Sequence, residues 1–243
     1  MSAPLHVAGL RGGHAERDVL RGVDLVVGRG EWVALLGANG SGKSTLLDAC
    51  VGRLRPRAGT IHVAGHALAG DGVAAKRSLG YAIAAERLPP LLSARECLAV
   101  QAAAKQLAAI DAEVLQLAEA LGLTPWLDEA VATMSYGTRQ KLGVLLALLG
   151  EPALVVLDET FNGLDPASGL LLKRHLRERV DAGRAGVLLA THALDIAEHW
   201  ADRVALLHEG CVLHCWERGE LAALRKGGGL EVALAQRLAA ARA

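Results

Sequence analysis

The sequence predicts an α/β fold into which a helical region is inserted. Up to about residue 83, short apolar runs at 23–27, 31–36 and 59–65 are separated by glycine turns and predict strands. From residue 153 onward, apolar strands alternate with helices, which is typical of βαβ units and a parallel sheet. Between these parts, residues 94–149 are rich in Ala and Leu at helical spacing and show no strand pattern.

In the last third of the chain, the alternation of strand-like and helix-like segments predicts individual strands and helices. The predicted strands are 153–157, 186–190 and 204–207, and the predicted helices are 170–180 and 194–200. Residues 219–243 form a short Ala- and Leu-rich stretch that predicts helix.

The amino-acid composition argues against a disordered chain and against a nucleic-acid-binding protein. The 243 residues are 52% hydrophobic and 21% charged, which is typical of a globular chain and not of a disordered one. The 26 basic and 26 acidic residues balance to a net charge of +0. Because proteins that bind nucleic acids usually carry an excess of positive charge, we expect no nucleic-acid partner.

The sequence carries no membrane or secretion signal of its own. The longest apolar run, 144–149, ends at Gly150 and Glu151 and is much shorter than a membrane span. The N-terminus lacks the basic and apolar regions of a secretion signal, and four cysteines are too few for a disulfide framework. We therefore expect a soluble, cytoplasmic chain that reaches a membrane only through a partner.

A phosphate-binding motif follows the strand predicted at 31–36. It matches G-x-x-x-x-G-K-[ST] through Gly37, Ala38, Asn39, Gly40, Ser41, Gly42, Lys43 and Ser44, and Thr45 is the next residue. Glycines let the backbone N–H groups turn inward, and the start of a helix predicted at 44–51 adds further donors. The motif therefore predicts a P-loop NTPase core, in which Lys43 contacts the β- and γ-phosphates and the Ser44 hydroxyl binds Mg²⁺.

Two acids end the strand predicted at 153–157. We expect Asp158 to lie at the Mg²⁺ ion. Glu159 comes one residue later, where it could act as the general base on the attacking water. Two solvated acids after a strand are common, so the prediction depends on the phosphate motif upstream.

Further motifs resemble those of the ATP-binding-cassette (ABC) ATPases. The run from Met134 to Lys141 resembles the family's signature, and Ser135 precedes Asp158 by 23 residues, as in the family. The run from Gly163 to Pro166 resembles its D-loop, and His192 resembles its switch histidine. These motifs stand in the family's order, and the resemblance extends from about residue 5 to residue 216.

The resemblance implies a single ABC ATPase domain over residues 1–243. Its α/β core would comprise about 1–85 and 151–216, with a small antiparallel β portion at the N-terminus. A helical subdomain would occupy about 86–150, and a short helical tail 217–243. The ligands it implies are ATP and Mg²⁺.

The resemblance also implies roles for five residues. Ser135 and Gly137 precede a helix predicted at 138–149. In a head-to-tail homodimer or heterodimer they would bind the ATP held by the second ATPase. The alternative for Ser135 is a plain helix N-cap. His192 would contact the γ-phosphate and the attacking water. Asp165 would lie at the dimer seam, be a turn aspartate before proline, or both. His14 would stack on adenine or be a plain loop histidine.

Two positions depart from the family pattern. Ala84 stands where the family has a Gln that binds Mg²⁺ and contacts the transporter partner. Glu86 is the candidate substitute, and loss of the ligand is the alternative. Tyr136 and Thr138 replace the signature's usual Gly and Gln, a form similar to that of export-type subunits.

The resemblance implies an ATP-hydrolysing subunit that powers transport, with export preferred, through a separate integral membrane permease. Such a subunit would be cytoplasmic and peripheral on the inner face of the cell membrane. The alternative is a soluble ABC ATPase without transport, for example of the iron–sulfur cluster assembly type.

Overall fold

The computed structural model describes residues 2–14 and 17–241. Its strands, in chain order, are β1 (Leu5–Gly12), β2 (Leu20–Val27), β3 (Trp32–Leu36), β4 (Ala58–Val63), β5 (His66–Ala67), β6 (Leu79–Tyr81), β7 (Leu154–Asp158), β8 (Gly186–Ala190), β9 (Arg203–His208) and β10 (Cys211–Trp216). Its α-helices are α1 (Lys43–Cys50), α2 (Gly72–Arg77), α3 (Ala94–Ala104), α4 (Ala112–Ala120), α5 (Tyr136–Leu148), α6 (Pro166–Asp181), α7 (Leu194–Trp200), α8 (Arg218–Leu224) and α9 (Gly229–Ala240).

Six strands form the main sheet in the order β10-β9-β3-β8-β7-β6. All neighbours are parallel except β9 and β10, which form an antiparallel hairpin. Every residue of β3 and of β8 is buried, as expected for parallel strands covered on both faces. The expected α/β fold is confirmed.

The N-terminal strands form a separate antiparallel sheet in the order β2-β1-β4-β5. Burial along β1 largely alternates from residue to residue, so one face packs on the core and the other faces solvent. Val33 and Leu35 of β3 join this sheet in one apolar cluster, whereas Trp32, Ala34 and Leu36 point into a second cluster on the helical side. The antiparallel β portion implied by the resemblance is confirmed.

Residues between β6 and β7 contain α3, α4 and α5 and no strand of either sheet. Helix α3 begins with a capping box, in which Ser93 Oγ accepts from Glu96 N and Glu96 Oε2 accepts from Ser93 N. Helix α5 is buried along most of its length and packs against α3, α4 and β6. It therefore joins the helical region to the main sheet.

Some helices begin at residues other than those that hydrophobic spacing predicts, because a capping side chain fixes the start. Helix α6 begins at Pro166, four residues before the predicted start, since Asp165 caps it and proline suits the first helical position. The C-terminal stretch is helical as predicted and forms two helices, α8 and α9. Within residues 2–14 and 17–241, no helix has the length and apolar character needed to cross a bilayer.

Candidate functional site

The segments that follow β3 and β7 meet in one cavity of about 360 Å³. Strands β3, β8 and β7 are neighbours in the main sheet, and ligands in α/β folds bind at the carboxyl ends of such strands. The lining residues are Val19, Ala38, Asn39, Gly40, Gly42, Lys43, Ser44, Thr45, Asp158 and Glu159. The cavity thus gathers most of the predicted phosphate-binding residues and both predicted acids.

Glycine is required in this loop for two reasons. Gly42, which precedes α1, has a φ of 107°, a conformation that a side chain disfavours. Gly37 is packed so closely that a Cβ there would lie 2.4 Å from the Leu207 carbonyl oxygen and 2.5 Å from Ser41 Oγ. Ser41 is buried beneath the loop, so Gly37 and Ser41 shape the cavity without lining it.

The Lys43 side chain folds back into the loop. Its Nζ donates to the carbonyl oxygens of Gly37 at 2.6 Å and Ala38 at 3.3 Å. The first N–H groups of α1 have no partner inside the helix, and they open toward the same cavity that Ser44 and Thr45 line. The arrangement presents an ammonium group and several backbone donors to an anion.

Asp158 lies where a divalent cation fits. The Ser44 hydroxyl donates to its carboxylate, and burial raises the pKa of Asp158, with the nearby Glu159 and Asp48 carboxylates acting in the same direction and Lys43 against them. Hydroxyl and carboxylate oxygens are ligands that Mg²⁺ prefers. A cation here would relieve the repulsion among these acids, so Ser44 and Asp158 fit the ion.

Glu159 is fixed by contacts to the last residue of β8 and to the residues that follow it. Its φ is 47°, and its N–H donates to the Ala190 carbonyl at 2.9 Å. His192 Nδ1 lies 3.0 Å from Glu159 Oε1, and His192 N lies 3.4 Å from Oε2. The structure thus brings the predicted base and the predicted histidine together, although His192 is not among the described residues that line the cavity.

Two further residues hold the Glu159 carboxylate. Thr191 Oγ1 donates to Glu159 Oε2 at 3.3 Å, and Asn162 Nδ2 donates to the same oxygen at 3.2 Å. Neither was a candidate in the sequence. Thr191 could have been found from its place beside His192, whereas nothing in the local sequence singles out Asn162.

Ser135 is the N-cap of α5. Its Oγ accepts from Thr138 N at 3.1 Å and lies 2.8 Å from Thr138 Oγ1. The predicted helix start at Thr138 is wrong: α5 begins at Tyr136, so Gly137 lies inside the first turn. Ser135 and Gly137 are absent from the described lining of the cavity, so this helix start faces a different part of the surface.

Asp165 directly precedes Pro166 and is the N-cap of α6. It accepts from Ser168 N at 2.8 Å and from Ser168 Oγ at 2.6 Å, and it pairs with Lys141 Nζ at 3.1 Å. These hydrogen bonds hold the pKa of Asp165 well below its usual range.

The remaining candidates lie apart from the described lining of the cavity. His14 is exposed, and Val19 rather than His14 lines the cavity at its N-terminal side. Ala84 is half-buried and precedes a single 3₁₀ turn, Ala85–Arg87, in which Glu86 is exposed.

Known proteins are similar to this chain in both sequence and fold. A family model described as "ABC transporter" matches residues 20–162, which is more than half of the chain. The structure aligns with a solved "ATP binding subunit of ABC transporter" at a TM-score of 0.88 and 34% identity, over 98% of this chain and 100% of that one.

Curated relatives carry related names. "Uncharacterized ABC transporter ATP-binding protein YdbJ" of Bacillus subtilis is 34% identical over 206 residues, 85% of this chain and 67% of that protein. "Aliphatic sulfonates import ATP-binding protein SsuB" of Corynebacterium glutamicum is 32% identical over 212 residues, 86% of this chain and 82% of that protein. With the phosphate loop and the paired acids in one cavity, the chain belongs to the ABC transporter family, as an ATP-binding subunit with ATPase activity.

Proposed function

We propose that the chain hydrolyses ATP in the cavity formed by residues 37–45, Asp158 and Glu159. Lys43 and the backbone donors of the loop bind the β- and γ-phosphates, and Ser44 and Asp158 hold Mg²⁺, which neutralises phosphate charge when bound. Glu159 accepts the proton of the attacking water, and His192 orients the Glu159 carboxylate. The observation that carries this proposal is that the loop and both acids line one cavity.

A head-to-tail dimer completes the site. Within one chain, Ser135 and Gly137 stand at a helix start outside the described lining of the cavity. A helix start is suited to binding an anion, and two copies, or one copy with a similar ATPase, can each place it on the ATP of the other. ATP-driven closure of such a dimer is the step that would do mechanical work, because ATP binds the closed form better than the open one.

The partner is a separate integral membrane permease, which docks on a second cavity of about 370 Å³ beside the helical region. Its lining comprises Val51, Arg53, Val73, Lys76, Arg77, Leu79, Tyr81, Ile83, Gln101, Ala104 and Lys105. Four of these described residues are cationic and none is acidic. Burial lowers the pKa of Lys105 to about 8, and a nearby acidic group would raise this pKa again and so favour the charged form.

Exposed apolar side chains lie beside this basic cavity. Val73 is 67% exposed, and Val100, next to Gln101 on α3, is 60% exposed. Exposed apolar groups combined with charge of one sign are typical of a protein-binding surface. An acidic amphipathic segment of the permease matches both features, and docking there would hold the chain at the inner face of the cell membrane.

For the direction of transport we propose export. The support is the Ser-x-Gly-x-x-Gln-Lys form at residues 135–141, which resembles that of export-type subunits, although the Corynebacterium relative is named for import. An ATPase of iron–sulfur cluster assembly has no support in the relatives described above.

Purification of the tagged chain from gently solubilised membranes tests the assignment. We expect a protein with several membrane spans to co-purify, and ATP with Mg²⁺ to stimulate export in vesicles that contain the pair. Co-purification of a soluble scaffold in its place would support the assembly alternative, and ATP-dependent uptake would overturn export.

A further inference from the structure

The start of α5 is joined to the segment that follows Glu159. The Gln140 side chain donates through Nε2 to the Thr160 carbonyl oxygen at 3.0 Å. Gln140 is 6% exposed and Thr160 is 1% exposed, so water cannot easily replace this bond. The carbonyl group that Gln140 holds is one residue from the carboxylate proposed as the general base.

Two more contacts join the same elements. The Tyr136 ring lies against Gly163, where a Cβ would come within 2.6 Å of Tyr136 Cε1, and Gly163 has a φ of 78° that favours glycine. Lys141 pairs with Asp165 at 3.1 Å. Helix α5 therefore contacts residues 160–165 at the beginning, middle and end of that segment.

Two of these α5 residues, Tyr136 and Gln140, are four residues apart and therefore lie on one face of the helix. Lys141 follows Gln140 and projects about 100° further round the helix, where it reaches Asp165. A displacement of this face would be passed directly to Thr160. The Glu159 carboxylate is attached to the same short segment and to Asn162, so its position depends on α5 as well as on His192.

We propose that Gln140 is a positioning residue for Glu159, and that residues 136–141 and 160–165 move as one unit. In the head-to-tail dimer, the start of α5 meets the ATP of the partner copy, so this unit links that ATP to the chain's own Glu159. The inference rests on the proposed role of Glu159. Gln140 itself lies outside the described lining of the cavity and touches no reacting atom.

The first test combines Gln140→Met, which fills similar space without a donor, with Glu159→Gln. Alone, Gln140→Met should lower kcat by about 10- to 100-fold with little change in KM, since a misplaced catalytic group costs rate rather than binding. In the Glu159→Gln background it should lower the residual single-turnover rate by no more than about twofold, because the two changes act through one group. Equal losses in both backgrounds, or an unchanged kcat, would overturn the proposal.

The second test needs no nucleotide. Hydrogen–deuterium exchange of the intact chain should become faster at residues 159–164 in Gln140→Met. Arg177→Met is the control, because it removes a half-buried donor to a different backbone carbonyl, that of Trp200, together with ion pairs to Asp181 and Asp202. Unchanged exchange at 159–164 would overturn the proposal. A normal hydrolysis rate in Glu159→Gln would instead contradict the role of Glu159, and the exchange result would still report on the Gln140 contact.

Discussion

His192 Nδ1 and Glu159 Oε1 lie 3.0 Å apart at the ends of neighbouring strands. Asp158 of β7 pairs with Ala190 of β8, so the residues after each strand leave the sheet at the same level. The sheet register therefore sets this contact. Because the two residues are far apart in the chain, their distance is a property of the fold and not of local sequence.

Glu159→Gln should reduce ATP hydrolysis by about 10²- to 10⁴-fold, the usual contribution of a general base. The amide keeps the size of the carboxylate but cannot accept the proton. Because binding should survive, ATP should trap a dimer that elutes early in size-exclusion chromatography. Glu151→Gln is the matched control, since Glu151 also has a positive φ, 45°, but lies outside the described site; normal hydrolysis by Glu159→Gln would exclude Glu159 as the base.

Lys43→Ala should abolish hydrolysis and weaken ATP binding. A charge-assisted contact is worth roughly 1.5–3 kcal/mol, so we expect a loss of about 10- to 100-fold in affinity. Isothermal titration calorimetry measures it, with Lys173→Ala, on α6, as the control. Unchanged affinity would remove Lys43 from the phosphate site.

Charge reversal in the basic cavity should separate the chain from its permease. Lys76→Glu combined with Arg77→Glu should reduce co-purification at least about tenfold, because like charges across an interface are costly. ATP binding by the isolated chain should stay unchanged. The control is Lys226→Glu, an exposed lysine near the C-terminus, and equal recovery of the permease by both variants would argue against docking at this cavity.

Sequence predicted the phosphate loop and the two acids because their motifs are local. Each motif is a continuous run at the end of a strand: Gly37 to Ser44 follow β3, and Asp158 and Glu159 end or follow β7. The ends of these strands could be predicted from the pattern of apolar residues. Asn162, Gln140 and the Lys141–Asp165 pair were not predicted, because they depend on how α5 packs against residues 160–165. The starts of α5 and α6 were predicted two and four residues too late, because hydrophobic spacing does not mark a polar first turn. The N-cap alternative for Ser135 is confirmed.

Asp165 should make stability depend on pH in the acid range. Hydrogen bonds from Ser168, together with Lys141, hold its pKa below the ordinary value of 3.8. A lowered pKa in the folded state stabilises the fold above the unfolded-state pKa, and this stabilisation is lost as the pH falls through the folded-state pKa. Because it removes the N-cap of α6, Asp165→Ala should lower Tm by about 2–4 °C at pH 7, and the difference from the wild type should narrow below about pH 3.8. A difference that stays constant with pH would contradict this account.

The resemblance of residues 79–96 to the family aligns Ala84 with a Gln that binds Mg²⁺ in the family, and we propose that this ligand is missing here. Removing one neutral oxygen ligand leaves a coordination place that water can fill, because Mg²⁺ commonly keeps several waters. Hydrolysis should therefore persist with a raised Mg²⁺ requirement. Ala84→Gln should lower the Mg²⁺ concentration for half-maximal ATPase rate by about two- to tenfold, which corresponds to the roughly 0.5–1.5 kcal/mol of one added polar contact.

The control is Ala103→Gln, at an exposed site on α3. Glu86→Ala should raise this Mg²⁺ midpoint only if Glu86 substitutes for the missing ligand. If neither Ala84→Gln nor Glu86→Ala moves the midpoint, residues 84–86 have no role at the metal.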